Sequence, residues 1–307
     1  MITMKILAIQ GSSLNRVNFE TDTTFFLALE AQKRGYHIYY FEPGNLSFIN
    51  GSVFARCTYL KLYDDKKRFF KIIKKLNFNL INSKIILIRN EPPFNQQYIN
   101  TTFILEHLSK TIKIVNHPKA IREVPEKLFS INFIKYMPST LISEDLFEIK
   151  KFFKRNKEVV MKPINGYSGN EVVYLKNFNK TLIKRFIKKH NHIIFQKFLS
   201  KVSEGDKRVF IINGKIKGLI SRVPKKGSIL SNMSKGAHAI LNDLTAKEKK
   251  ISMKVARLLK QKQIYFAGID FVQEKLIGDI NVTSPTGLKT YFKLTNINLA
   301  KYFWDNI

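Results

Sequence analysis

From residue 5 to Val115, short apolar runs alternate with segments whose apolar residues recur at helical spacing, and this alternation constrains the fold more than any other feature. Residues 5–9 read as a strand, Thr23–Lys33 as a helix stopped before Gly35, and His37–Phe41 as a second strand. Residues 84–88 form a third strand, Glu91-Pro92-Pro93 breaks the chain, 98–108 read as a helix and 112–115 as a fourth strand. Strands that are apolar nearly throughout, joined by helices, predict an α/β fold with a parallel sheet covered on both faces. The glycine fingerprint of dinucleotide-binding folds is missing, because Ser12 and Ser13 follow Gly11.

The pattern then changes. Residues 125–134 read as a helix, 146–155 as a basic helix and Val159–Pro163 as a strand. The loop 165–170, Asn-Gly-Tyr-Ser-Gly-Asn, contains glycines that a plain hairpin does not need unless backbone must approach a ligand closely. A strand at 172–175, a helix at 181–189 and a strand at 193–198 follow. In the last third, strands 207–212 and 215–222 flank Asn213-Gly214, a strong two-residue hairpin signal. Residues 224–239 form a polar loop of a length usual for lids or disordered segments, and the helix 246–260 precedes strands at 266–273 and 276–281.

Charge is the unusual bulk property: 53 Lys and Arg face 23 Asp and Glu, a formal net charge of +30, which makes a polyanion the first partner to consider. However, 42 of the basic residues are Lys and only 11 are Arg. Lys, Ile, Asn and Phe, all abundant here, are read from A/T-rich codons, so base composition alone inflates the charge. No specific nucleic-acid site is expected: no groove-reading helix, aromatic platform or Arg-rich strip is visible, and Arg leads in specific base contacts. Cys57 is the single cysteine, which excludes an intramolecular disulfide and suits a cytoplasmic protein. The first residues lack the apolar core of a signal peptide, and no run approaches the roughly 18 apolar residues of a membrane span.

Asp270, Asp279 and Asn281 fall on two late strands. Residues i and i+2 of a strand share a face, so Asp279 and Asn281 point together and a neighbouring strand can add Asp270. Hard oxygen ligands in a partly open site suit Mg²⁺, which fills its remaining positions with water and phosphate oxygens. Lys162 ends the apolar run Val159-Val160-Met161, where an ammonium is costly unless an anion meets it. Lys127 stands where it can be aimed at the same place. Cations, a glycine loop and a metal site together are the equipment for a nucleoside triphosphate.

The chain resembles the bacterial glutathione synthetases of the ATP-grasp superfamily over nearly its whole length. The resemblance rests on the segments Leu29-Glu-Ala-Gln-Lys-Arg-Gly-Tyr36, Ile88-Arg-Asn-Glu-Pro-Pro-Phe94, Pro125-Glu-Lys-Leu-Phe129, Met161-Lys-Pro163, Glu204-Gly-Asp-Lys-Arg-Val209, Gly268-Ile-Asp270 and Ile280-Asn-Val-Thr-Ser-Pro-Thr-Gly287. It implies an ATP- and Mg²⁺-dependent ligase, Mn²⁺ being a possible substitute, that joins γ-glutamylcysteine to glycine through an acyl phosphate. By the family pattern, Lys127 and Lys162 contact the nucleotide's phosphates, the loop Gly166, Tyr167, Ser168 and Gly169 folds over them, Gln196, Lys197, Phe198 and Leu199 meet the adenine edge, and Asp206 also binds the nucleotide. Asp270, Asp279 and Asn281 hold the metal, and Arg208 and Arg222 are the catalytic cations. Arg89, Asn232, Ser284, Pro285, Thr286 and Gly287 meet the dipeptide and glycine.

The expected organisation is an N-terminal α/β substrate domain at 1–122, a central nucleotide-binding lobe at 123–200, and a C-terminal lobe at 201–307 whose lid is 224–239. A dimer or tetramer is the expected assembly. The sequence departs from the family at Ser12-Ser13, where an Asp-Pro pair is usual, and at Glu20, where a basic residue is usual. It departs also at Ser168, at Leu230 for an Arg, at Ala237 for a Gly, and at Asp279 for a Glu among the metal ligands. An ATP-grasp ligase with a changed acyl or amine substrate, or a degenerate ATP-binding relative, therefore stays open as an alternative.

Overall fold

A computed structural model describes residues 4–167, 169–228 and 231–307. The first unit is built on β1 (Ile6–Gly11), α1 (Thr23–Lys33), β2 (His37–Phe41), β3 (Leu46–Ile49), β4 (Ser52–Leu62), β5 (Phe70–Asn79), β6 (Ile85–Arg89), α2 (Gln96–Glu106), β7 (Lys113–Val115) and α3 (Pro118–Glu123). Strands β2, β1, β6 and β7 pair in parallel, as the apolar runs predict. The sheet as a whole is mixed, which corrects the expectation of a purely parallel one: β4 runs antiparallel to β2, β3 and β5. Asn50-Gly51 turns β3 back into β4, since both residues have positive φ (46° and 88°) and so make the turn whose twist suits a tight hairpin. Strand β5 is lysine-rich and largely exposed, so it carries no apolar run to announce it.

The second sheet contains β8 (Thr140–Ser143), β9 (Val159–Pro163), β10 (Val173–Leu175) and β11 (Ile193–Lys197), in the order β10-β9-β11-β8 and antiparallel. Helices α4 (Leu146–Asn156) and α5 (Lys180–His190) cover it, packing Ile149, Phe153 and Ile183 onto Val159, Met161 and Phe195. The third sheet runs β14-β13-β12-β15-β16. Its members are β12 (Asp206–Ile212), β13 (Lys215–Val223), β14 (His238–Ile240), β15 (Phe266–Val272) and β16 (Lys275–Asn281), with α6 (Ala246–Gln261) packed against it.

The helix expected at 125–134 is absent. In its place, 3₁₀ turns run over Phe129–Tyr136 and are kinked at Phe133. The Glu126 carbonyl accepts from Ile280 N at 3.1 Å, so the chain here is tied to β16 before a helix can start.

Helices α7 (Leu288–Thr295) and α8 (Leu299–Asp305) return to the first sheet. Leu288, Phe303 and Trp304 share one apolar core with Leu7, Ile9, Leu27 and Ile38, and Trp304 Nε1 donates to Leu27 O at 2.9 Å. Asn116, at the end of β7, fixes the first sheet to the third: its Nδ2 donates to Phe266 O and Val282 O at 2.8 and 2.7 Å, and its Oδ1 accepts from Tyr265 N and Phe266 N at 2.9 Å. Cys57 is buried, and burial pushes its thiol up to about 12, which leaves it protonated and unreactive. No helix among the described residues is long and apolar enough to cross a membrane.

Candidate active site

A cavity of about 650 Å³ lies between the second and third sheets and reaches the first unit. The antiparallel pairing of β12 with its neighbours organises its charged floor. Arg208 stands opposite Asp270, and Asp206 opposite Arg222, at distances where facing side chains meet. Arg208 grips Asp270 with two bonds, Nε to Oδ1 at 2.8 Å and Nη2 to Oδ2 at 2.7 Å. Arg222 grips Asp206 in the same way, at 2.7 and 2.6 Å, and its Nη2 also lies 3.1 Å from Asp270 Oδ2. Burial opposes the Asp270 charge, yet Arg208 and Arg222 outweigh it and hold this carboxyl well below the usual range.

Lys162, on β9, is 6% exposed and donates to Ile277 O at 2.7 Å. Burial lowers its pKa, and Asp279 opposes the shift from 3.7 Å. Lys127 Nζ is 3.7 Å from the other oxygen of Asp279 and donates to Gly166 O, which ties it to the glycine loop. A Cβ at Gly166 would lie 2.6 Å from Pro163 Cγ, so the close return of this loop onto β9 needs glycine. Gly166, Tyr167 and Gly169 line the cavity, and Ser168 lies outside the described residues.

The segment Gln196, Lys197, Phe198 and Leu199 forms another wall with Val160, Val202 and Ile277. Gln196 Nε2 donates to Thr140 Oγ1, and the N–H groups of Lys197 and Phe198 donate to Ser139 O and Glu158 O.

The 284–287 segment is strung between units. Arg89 Nη2 donates to Pro285 O at 2.8 Å, Thr23 Oγ1 accepts from Gly287 N at 3.0 Å and Leu288 N at 3.2 Å, and Arg208 Nη1 reaches Thr286 Oγ1 at 3.4 Å. Gly287 has φ +117°, and a Cβ there would meet Phe210 at 2.8 Å.

Among the described residues expected at the site, all but Arg89 line the cavity: Lys127, Lys162, Gly166, Tyr167, Gly169, Gln196, Lys197, Phe198, Leu199, Asp206, Arg208, Arg222, Asn232, Asp270, Asp279, Asn281, Ser284, Pro285, Thr286 and Gly287. Arg89 is 5% exposed, bonded to Thr24 Oγ1 as well as Pro285 O, and stacked by its guanidinium on Phe266; it supports the segment from behind. The segment after β1 does reach the cavity, but through Arg16, Asn18, Thr21 and Asp22. Ser12 and Ser13 are not in the lining, and Glu20 pairs with Lys293 and Lys66 outside it. Glu126 and Glu91 line the cavity and were missed, the first in the shadow of Lys127 and the second inside the Pro-Pro break. From residues 224–239, Ser231, Asn232 and Met233 reach the cavity, while Leu230 lies outside the described residues.

The donor set fits a hard divalent ion with phosphate oxygens rather than an all-protein cage. Among the described residues no three His, Cys, Asp or Glu converge as a metal cluster, so an ion here would rest on Asp270, Asp279, Asn281 and ligand oxygens. Asn281 turns its Nδ2 to Gly268 O at 3.1 Å and Asp270 Oδ2 at 3.3 Å, which leaves its Oδ1 for a cation.

Residues 4–122 match the family described as prokaryotic glutathione synthetase, N-terminal domain, and residues 126–296 match prokaryotic glutathione synthetase, ATP-grasp domain. The glutathione synthetase of Bradyrhizobium diazoefficiens is 36% identical over 305 residues, covering 98% of this chain and 97% of that one. That of Rhodopseudomonas palustris is 35% identical over 310 residues, covering 100% and 98%. In fold, the chain resembles the ATP-grasp ligase PsnB, solved with a phosphomimetic variant of its minimal precursor, Mg and ADP, with a TM-score of 0.64 at 14% identity and coverage of 99% and 97%. Matched in both halves and along its whole length, the chain belongs to the prokaryotic glutathione synthetase family.

Proposed function

We infer that the protein is an ATP-dependent carbon–nitrogen ligase that makes glutathione from γ-glutamylcysteine and glycine, releasing ADP and phosphate. The observation that carries this reading is the convergence of Lys127, Lys162, Arg208 and Arg222 on one cavity that also holds Asp270, Asp279 and the 284–287 segment. A carboxylate acylates poorly, so the cysteinyl carboxylate first takes the γ-phosphoryl group, and the amine of glycine then displaces phosphate from the acyl phosphate. The protein's task is placement and charge neutralisation more than proton transfer.

Lys127, Lys162 and the glycine loop hold the phosphates, and the wall at Gln196–Leu199, with its apolar neighbours, takes the adenine. Arg208 and Arg222 face the oxygens on which charge develops. Asp270, Asp279 and Asn281 would hold Mg²⁺, or Mn²⁺ in its place, which neutralises phosphate charge when bound. The 224–239 loop keeps water from the acyl phosphate, and this role is supported by Asn232 and Met233 on the cavity wall. The reading includes the division at 1–122, 123–200 and 201–307, a cytoplasmic location and a homo-oligomeric assembly, each supported by the family resemblance.

A coupled assay for ADP with a panel of acids and amines tests it. Release is expected to require γ-glutamylcysteine and glycine together; release only with another pair would move the substrate, and release with none would end the ligase reading.

A further inference from the structure

Glu126 lies beside Lys127 and ahead of the substrate segment, and its two carboxylate oxygens are used differently. Oε1 accepts from Val282 N at 2.8 Å, Thr283 N at 3.0 Å and Thr283 Oγ1 at 2.8 Å. Oε2 receives no donor among the described residues, although the side chain is half-buried and lines the cavity. The other carboxylates of the lining are mostly engaged. Arginines hold Asp206 and Asp270, lysines flank Asp279, and Asp22, whose Oδ1 caps α1 by accepting from Phe25 N at 2.6 Å, is disfavoured as an anion because burial raises its pKa; Glu91 is exposed.

An amino acid enters this cavity as a zwitterion, and its nitrogen must come beside Lys127, Lys162, Arg208 and Arg222 to reach an acyl group activated there. Asp206, Asp270 and Asp279 are already paired with these four cations, so an ammonium there needs a further carboxylate oxygen to face it. We propose that Glu126 Oε2 receives the ammonium of the acceptor amino acid, which makes Glu126 a substrate-binding and specificity-determining residue for the amine half of the reaction. This rests on the ligase reading above. The three donors on Oε1 hold the carboxylate in one orientation, so the second oxygen is presented to the cavity at a fixed place.

Glu126→Gln separates this role from a structural one. The amide oxygen keeps the bonds to Val282 and Thr283, which turns its NH₂ toward the cavity in place of Oε2. With γ-glutamylcysteine and ATP saturating, the KM for glycine is expected to rise about 10- to 100-fold, the usual worth of a hydrogen bond to a charged group. The KM values for ATP and dipeptide, the melting temperature, and the rate with hydroxylamine, an acceptor uncharged at neutral pH, are expected to stay near wild type. An unchanged KM for glycine overturns the proposal. So does a rise confined to the dipeptide, or a joint loss of ATP affinity, hydroxylamine rate and melting temperature, which would mark a clamp alone. A wild type that releases no ADP with this substrate pair overturns the ligase reading itself, whereas an active wild type matched by the Gln variant overturns only the role of Glu126.

Discussion

Asp270 meets both arginines of the cavity floor, and each of these groups is buried. Removing one member of such a set leaves uncompensated charge in a low-dielectric site. Asp270→Ala is therefore expected to cost about 3–5 kcal/mol of stability, measured by urea unfolding, with Asp270→Asn costing less. A loss under about 1 kcal/mol would mean that water already screens Arg208 and Arg222. The sign with pH follows from the lowered carboxyl: its contribution is fully present above 3.8, the ordinary aspartate value, and disappears only as pH falls toward the lower native one. The sequence indicated that Asp270 and Arg208 matter, but not that they pair, because pairing depends on the register between β12 and β15, strands that are far apart in the chain. The position of Arg89 behind the lining is hidden for a related reason: its neighbours Thr24 and Pro285 come from opposite ends of the sequence.

The elements with a single strong local signal were the legible ones. The apolar runs of β1, β2, β6 and β7 and the Asn213-Gly214 turn appear where the pattern puts them, while Asn50-Gly51 carries the same turn and was passed over. Strand β5 sets Ile72 and Ile73 among lysines at an exposed surface, so burial supplies no period to detect. The 3₁₀ turns after Lys127 depend on a bond to β16 that no local pattern contains. Asn116 belongs to this scale too, since its side chain completes the backbone bonding of Tyr265, Phe266 and Val282 where β7 meets β15. Asn116→Ala is expected to cost about 2–4 kcal/mol, because it leaves buried backbone groups unpaired. The loss is to be read as a lower urea midpoint at unchanged slope; a changed slope would indicate that the first unit unfolds separately.

Over the whole molecule, the four central cations of the cavity are each paired with one of its own aspartates. Arg208 and Arg222 rest on Asp206 and Asp270, and Lys127 and Lys162 on Asp279. Nucleotide alone would draw the cations and leave the carboxylates exposed to one another, while a divalent ion alone would face the cations. Each is therefore expected to raise the affinity of the other, and by the same factor, about 5- to 150-fold, in calorimetric titrations with and without Mg²⁺. Equal ATP affinity in EDTA and in Mg²⁺ would show that the charges are not exchanged in this way. The docking of α8 on α1 acts over the longest span, with 277 positions separating Leu27 from Trp304. Translation at roughly 5–20 residues per second takes about 15 to 55 seconds to cover that interval, during which the face of α1 that receives α8 waits without its cover. The nascent chain thus has a prolonged window in which a chaperone, or another copy, can occupy the place reserved for Trp304.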